Sequence, residues 1–178
     1  SEEKFFEILE KRLQLCYKAL MLRYDFLKDV VSDVSPIHWQ YGAIARLKPG
    51  EKIYPYLQNT YSTLSLGYIG VYEATKLITG ESHTGEKGHA FAARLMHRLR
   101  EAVDTWQEQT GLGFSLYGTP AESLTNRFSS IDRARFGEIE DITDKGYYTN
   151  SYHVDVREPI SVFDKFRFES EFQKLSTG

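Results

Sequence analysis

A single cysteine, Cys16, stands in a chain of 178 residues, and one thiol makes neither an internal disulfide nor a cysteine-based metal cluster. Long apolar runs are missing too. Nothing approaches the roughly 20 residues that a membrane span needs, and no basic segment followed by an apolar one opens the sequence. The expectation is a cytoplasmic chain with no membrane partner. Positive charge is not in excess: 22 Lys and Arg against 25 Asp and Glu leave a net charge of −3, which argues against non-specific nucleic-acid binding. Arg94, Arg98 and Arg100 cluster, but Glu101 and Asp104 follow at once, as on a mixed solvated helix face. Gly67 and Gly70 do not complete a G-x-G-x-x-G fingerprint, and no H-E-x-x-H occurs. His38, His83, His89 and His97 form no i,i+4 pair, and His89 and His97 stand two helical turns apart, too far to share one ion. No metal site is expected from these residues.

What is present is an ordinary globular composition, 41% hydrophobic and 14% aromatic, fitting one domain or a piece of a larger one. The twelve tyrosines read as core residues whose polar tips find partners. Residues 2–31 carry one long helical pattern, with Phe5, Leu9, Leu13, Cys16, Leu20, Tyr24, Leu27 and Val31 on a single stripe. Cys16 in mid-stripe reads as a buried structural thiol. Ser35-Pro36 reads as the end of that helical region, residues 41–45 as a short buried strand, and Lys48-Pro49-Gly50 as a turn. A strand is expected over residues 62–66, a helix from about Tyr72 that ends before Gly80, and a second helix over 89–109. Gly111 and Gly113 end that helix and a strand over 114–117 follows. A short helix near 131–136, a polar turn over 141–146, a strand over 147–156 and a helix over 163–172 complete the reading. Long helices alternating with short apolar strands indicate an α/β fold with a mainly parallel sheet.

The stretch from Gly113 to Phe128, GFSLYGTPAESLTNRF, is a strand that stops at small residues and restarts as a helix. Thr119 suits the N-cap, Pro120 the first helical position, and Glu122 completes a capping box. The first N–H groups of such a helix have no internal partners and the helix dipole favours an anion there, although Glu122 would compete for them. Ser151, His153 and Asp155 alternate along the expected strand. Neighbours two apart on a strand are about 6.6 Å from each other, too far for an unaided relay. No G-x-S-x-G elbow accompanies them, so a polar face lining a cavity is preferred to a hydrolase triad.

Four segments taken together resemble one family: STLSLGYIGVYEA (residues 62–74), GFSLYGTPAESLTNRF (113–128), IDRARFG (131–137) and ITDKGYYTNSYHVDV (142–156). They are similar to the catalytic subunit of anaerobic (class III) ribonucleoside-triphosphate reductase, a glycyl radical enzyme. The resemblance implies part of a ten-stranded α/β barrel built around a finger loop that carries a radical cysteine. It further implies a glycyl radical near the C-terminus, made by an iron–sulfur, S-adenosylmethionine-dependent activase, and a thiyl that abstracts the substrate's 3′ hydrogen. ATP and deoxynucleotide effectors, a structural zinc and, in one branch, formate as reductant complete the family's equipment. Cys16 does not match the radical cysteine and Gly178 lacks the radical-glycine motif, so residues 1–178 look like one internal segment of the barrel, inactive alone.

Carried over residue by residue, the resemblance places the substrate phosphates at Gly118, Thr119, Pro120, Ala121, Glu122 and Ser123. Thr119 and Ser123 would add hydroxyl donors, while Glu122 is either cap or ligand, the cap being preferred. Asn150, Ser151 and His153 are candidates to line the same cavity. A ribonucleoside triphosphate is the implied substrate, and a homodimer or other self-association is expected of a segment with open strand edges. The alternative is a non-catalytic module of the same fold that binds nucleotide or mediates oligomer contacts.

Overall fold

The computed structural model describes residues 1–118 and 120–177; Thr119, Gly178 and the side chain of Glu122 lie outside the described residues. The elements are α1 (Glu2–Leu27), α2 (Pro36–Trp39), β1 (Thr63–Gly67), α3 (Val71–Thr79), α4 (Glu86–Thr110), β2 (Gly113–Tyr117), α5 (Glu122–Phe136) and α6 (Val162–Gln173). Single 3-10 turns occupy Ser32–Val34 and Tyr54–Leu57. β1 and β2 pair as a two-stranded sheet. The Ser65 and Ser115 hydroxyls meet at 2.7 Å, Gly113 lies against Ser62 and Thr63, and Gly67 lies against Tyr117. That constant offset makes the pair parallel. Parallel strands need a long crossover, and α3 and α4 supply it.

The chain divides into two compact units, with β1, α4 and β2 each contributing to both. One unit comprises Glu3–Ser65 and Val103–Ser115. In it Leu13 and Tyr24 of α1 are buried, and Tyr17 stacks near Trp106 and Phe114, with centroids 5.3 and 6.3 Å away. The rest of the α1 stripe is half-buried, and the apolar residues off it are open: Leu22 and Phe26 are 72% and 78% exposed. Cys16 is half-buried, not the fully buried thiol that its position in the stripe predicts. A groove of about 320 Å³ runs between α1 residues such as Leu20, Arg23 and Tyr24 and the strand residues 62–65.

The other unit comprises Leu66–Ala102 and the chain from Leu116 onward. Phe91, Ala92, Leu95, Met96, Leu99 and Ala102 of α4 are buried at helical spacing. Val71, Tyr72 and Thr75 of α3, with Ile142, Tyr152, Val154 and Phe172, complete the core. His83 is fully buried among Tyr72, Phe168 and Phe172. Its Nε2 donates to the Tyr152 carbonyl at 2.9 Å, and burial pushes its pKa below the usual histidine value, against the raising influence of that hydrogen bond.

Several local expectations need correction. Pro36 opens the short α2 instead of ending a helix, and residues 41–45 form no strand. Ala43, Ile44 and Ala45 donate back to Ile37 and His38 carbonyls, because α2 ends with carbonyls that need donors. Residues 131–136 are not a separate helix but the end of α5, which runs unbroken from Glu122. The strand expected over 147–156 is absent: one isolated bridge joins Ile69 to Asn150, and Ser151 turns the chain at φ 48°. The carbonyls of Thr149 and Ser151 go to the N-terminus of α3 instead of to a neighbouring strand. Ser151, His153 and Asp155 therefore do not share a strand face.

Candidate functional site

Two strand–loop–helix junctions organise the second unit. After β1 the chain takes three residues, Tyr68-Ile69-Gly70, to enter α3. Gly70 is the N-cap at φ 78°, a conformation that glycine adopts without a Cβ penalty. Its N–H donates to the Thr149 carbonyl at 2.8 Å and the Val71 N–H to the Ser151 carbonyl at 3.3 Å. Glu73, 3% exposed, sits in the first turn. Its Oε1 accepts the Thr149 N–H and hydroxyl, both at 2.8 Å, and the Lys145 ammonium at 2.5 Å. Its Oε2 is buried without a hydrogen-bond partner among the described residues.

Lys145 is the centre of this arrangement. Its side chain is fully buried, paired to Asp155 as well as Glu73, and lies over the rings of Tyr72 and Tyr147 at 4.5 and 4.8 Å. Burial pulls the ammonium pKa down, but the Asp155 and Glu73 hydrogen bonds outweigh it and hold the group charged. Burial likewise pushes the Asp155 carboxyl up. Lys145 and the Arg157 backbone and guanidinium outweigh that, leaving its pKa lowered to about 2. The charges continue outward from Asp155 to Arg157 at 3.2 Å, from Arg157 to Asp141 at 3.1 Å, and from Asp141 to Lys76. Lys76 and Glu73 both belong to α3, so six alternating charges close a ring that begins and ends on one helix.

After β2 the chain reaches α5 through Gly118, Thr119, Pro120 and Ala121. The capping box expected at Thr119 needs Thr119 and the Glu122 side chain, which lie outside the described residues. The N-cap is Ala121, with φ −130° and ψ 56° and no side-chain cap, so Glu122 and not Pro120 is the first helical residue. Asn150 Oδ1 takes the Ala121 N–H at 2.8 Å. Gly118 is crowded. A Cβ there would stand 3.2 Å from Tyr68 Oη, 3.3 Å from Tyr152 Cε1 and 3.4 Å from Ser151 Oγ. Ser123 is exposed in the first turn of α5, and Pro120 is exposed beside it.

The cavity candidates separate. Asn150 and His153 line a groove of about 550 Å³ with Thr125, Tyr148, Lys165 and Glu169. His153 Nδ1 lies 3.2 Å from Glu169 Oε2, whose partner oxygen accepts the Val154 N–H. Ser151 does not line that groove; it is fully buried beneath Gly118. Glu73 and Lys145 are absent from the residues that the sequence singles out. The available signal is weak: an acid inside the apolar string VYEATKLI, and a lysine in a turn of ordinary polarity.

A family model described as anaerobic ribonucleoside-triphosphate reductase matches residues 1–178. The chain belongs to that family. It is 42% identical over 180 residues to the anaerobic ribonucleoside-triphosphate reductases of Salmonella typhimurium and Escherichia coli, which covers 99% of this chain and 25% of each of those proteins. The enzyme of the same name from phage T4 is 40% identical over 179 residues, 100% of this chain and 28% of its own. The chain thus spans about a quarter of the length of these relatives. Among the described residues no three His, Cys, Asp or Glu converge as a metal would require. No described helix is long and apolar enough to cross a membrane.

Proposed function

We propose that this chain is a segment of the catalytic barrel of an anaerobic ribonucleoside-triphosphate reductase and forms part of the pocket for the substrate's phosphates. The observation that carries the reading is the β2–α5 junction. A strand runs into a glycine whose Cβ would be crowded by three neighbours, and the helix that follows has an alanine N-cap and no side-chain cap among the described residues. The N–H groups of a helix's first turn, reinforced by the helix dipole, are donors suited to phosphate oxygens and need no basic side chain. Thr119 and Ser123 add hydroxyls to that set, and Asn150 fixes the approach of Ala121. In the intact enzyme, which reduces ribonucleoside triphosphates to deoxyribonucleoside triphosphates, the segment binds and orients the nucleotide. The glycyl radical, the activase that makes it, the zinc, formate, and ATP or deoxynucleotide effectors act elsewhere in the parent protein.

The test is triphosphate binding to the intact reductase carrying Thr119→Ala with Ser123→Ala. Loss of hydrogen bonds to a charged ligand should weaken binding about tenfold; unchanged affinity would sink the assignment. A homodimer is part of the same reading. Phe163 at 80% exposed and Phe26 at 78% are apolar surface of the kind that protein contacts cover. Sedimentation of the isolated segment as a monomer at high concentration would count against self-association.

A further inference from the structure

We infer that Lys145 is a positioning residue of this site: it fastens the loop of residues 145–155 to the N-terminus of α3, and so sets Asn150 against Ala121 at the N-terminus of α5. The inference rests on the phosphate-site reading and adds a residue that never meets the ligand. Lys145 is fully buried and both its charged partners are protein carboxylates, so its ammonium has no path to a substrate.

The connection to Asn150 is short and made of backbone. Lys145 holds Glu73, and Glu73 holds the N–H and the hydroxyl of Thr149. Thr149 and Ser151 then give their carbonyls to Gly70 and Val71. Asn150 is the single residue between those two anchors, and it is also bridged to Ile69. With both flanking peptides fixed, its side chain is left one task, to accept the Ala121 N–H. Without the Lys145 charge, Glu73 would be buried with no cation and Asp155 would keep only Arg157, Thr149 would lose its fixed acceptor, and Asn150 would no longer be aimed.

The experiment uses the intact reductase and compares Lys145→Met, Asn150→Ala and the double variant, measuring KM for a ribonucleoside triphosphate and kcat separately. Each single variant should raise KM about tenfold with kcat little changed, as expected when a binding contact is lost. The double variant should be no worse than Asn150→Ala alone, because Lys145 acts through Asn150. Effects that multiply in the double variant would overturn the inference. So would a Lys145→Met enzyme whose only defect is a lower active fraction. Where Lys145→Met does not fold, Thr149→Val, which deletes only the hydroxyl on Glu73, takes its place in the same cycle; an unchanged KM there overturns the inference. If Asn150→Ala is silent while Thr119→Ala with Ser123→Ala raises KM, the positioning role fails and the phosphate site stands. If the latter pair is also silent, the phosphate site itself fails.

Discussion

The junctions leading into α3 and α5 are built from similar strings and end in opposite states. Both follow a parallel strand, both pass through glycine, and both place a glutamate in the first turn of a helix. At α3 the N–H groups of Gly70 and Val71 are taken by the carbonyls of Thr149 and Ser151, Glu73 is buried, and a buried lysine balances it. At α5 the N-cap is an alanine with no capping side chain, and Ser123 faces solvent. The start of α3 is bonded from within the protein, and the start of α5 is the one proposed to receive the substrate's phosphates. The same loop serves both: its flanking carbonyls close the first junction, and Asn150 between them shapes the second.

The largest effect should come from breaking the closed junction. Lys145→Met strands the buried Glu73 carboxylate and leaves Asp155 with Arg157 alone; it should cost about 3–5 kcal/mol of stability, read by denaturant unfolding. Adding Glu73→Gln should recover part of that loss, because one uncompensated charge is then removed. Acid should open the same junction more gently. The pKa of Asp155 is lowered from 3.8 to about 2 in the fold, so its stabilisation is complete above its unfolded value. It is lost as the pH falls from about 4 through 2, for a total on the order of 2 kcal/mol. Unfolding measured from pH 5 to pH 2 should show that loss in the native protein and not in Asp155→Asn.

The difference between the junctions was only half legible in the sequence. Strand and helix positions followed from periodicity: β1, β2, α4 and α6 fall within a few residues of where the pattern of apolar residues places them. Pro120 at the first helical position is the expectation that fails: α5 starts at Glu122, and the N–H of its N-cap, Ala121, goes to Asn150, 29 residues later, a contact that neighbours along the chain do not reveal. The aromatic and β-branched run YYTNSYHVDV has strand composition, yet its carbonyls serve a helix end and its middle turns at Ser151. The charge ring is invisible for the same reason. Glu73, Lys145 and Asp155 are unremarkable one by one, and only the fold brings them together. Gly118 was marked as part of a loop, but the reason for glycine there, three side chains crowding its absent Cβ, lies in distant residues.

The two glycines should fail for different reasons under the same substitution. Gly70→Ala puts a side chain into left-handed backbone with room around it, the nearest atom being 3.6 Å away; the cost is about 1–2 kcal/mol of stability. Gly118→Ala meets Tyr68, Tyr152 and Ser151 at 3.2 to 3.4 Å, so they must shift by a few tenths of an ångström, for about 1 kcal/mol. Its larger consequence should be a higher KM for triphosphate, which Gly70→Ala should share only in so far as it disturbs Asn150. A Gly118→Ala enzyme with native KM would remove the distinction.

The smallest change should be the most discriminating, because it fills the start of α5 from within, as carbonyls fill the start of α3. Ala121→Asp supplies an N-cap carboxylate where none exists, and should stabilise the helix by about 1 kcal/mol. The same carboxylate would occupy the first-turn N–H groups and repel an incoming phosphate. Stability and triphosphate affinity should therefore move in opposite directions. Ala121→Ser caps without the charge and should keep most of the stability gain while weakening binding less. Thermal unfolding and triphosphate titration of the three enzymes separate these contributions. If Ala121→Asp stabilises the protein and leaves affinity untouched, the N-terminus of α5 does not face the phosphates, and both junctions are structural alone.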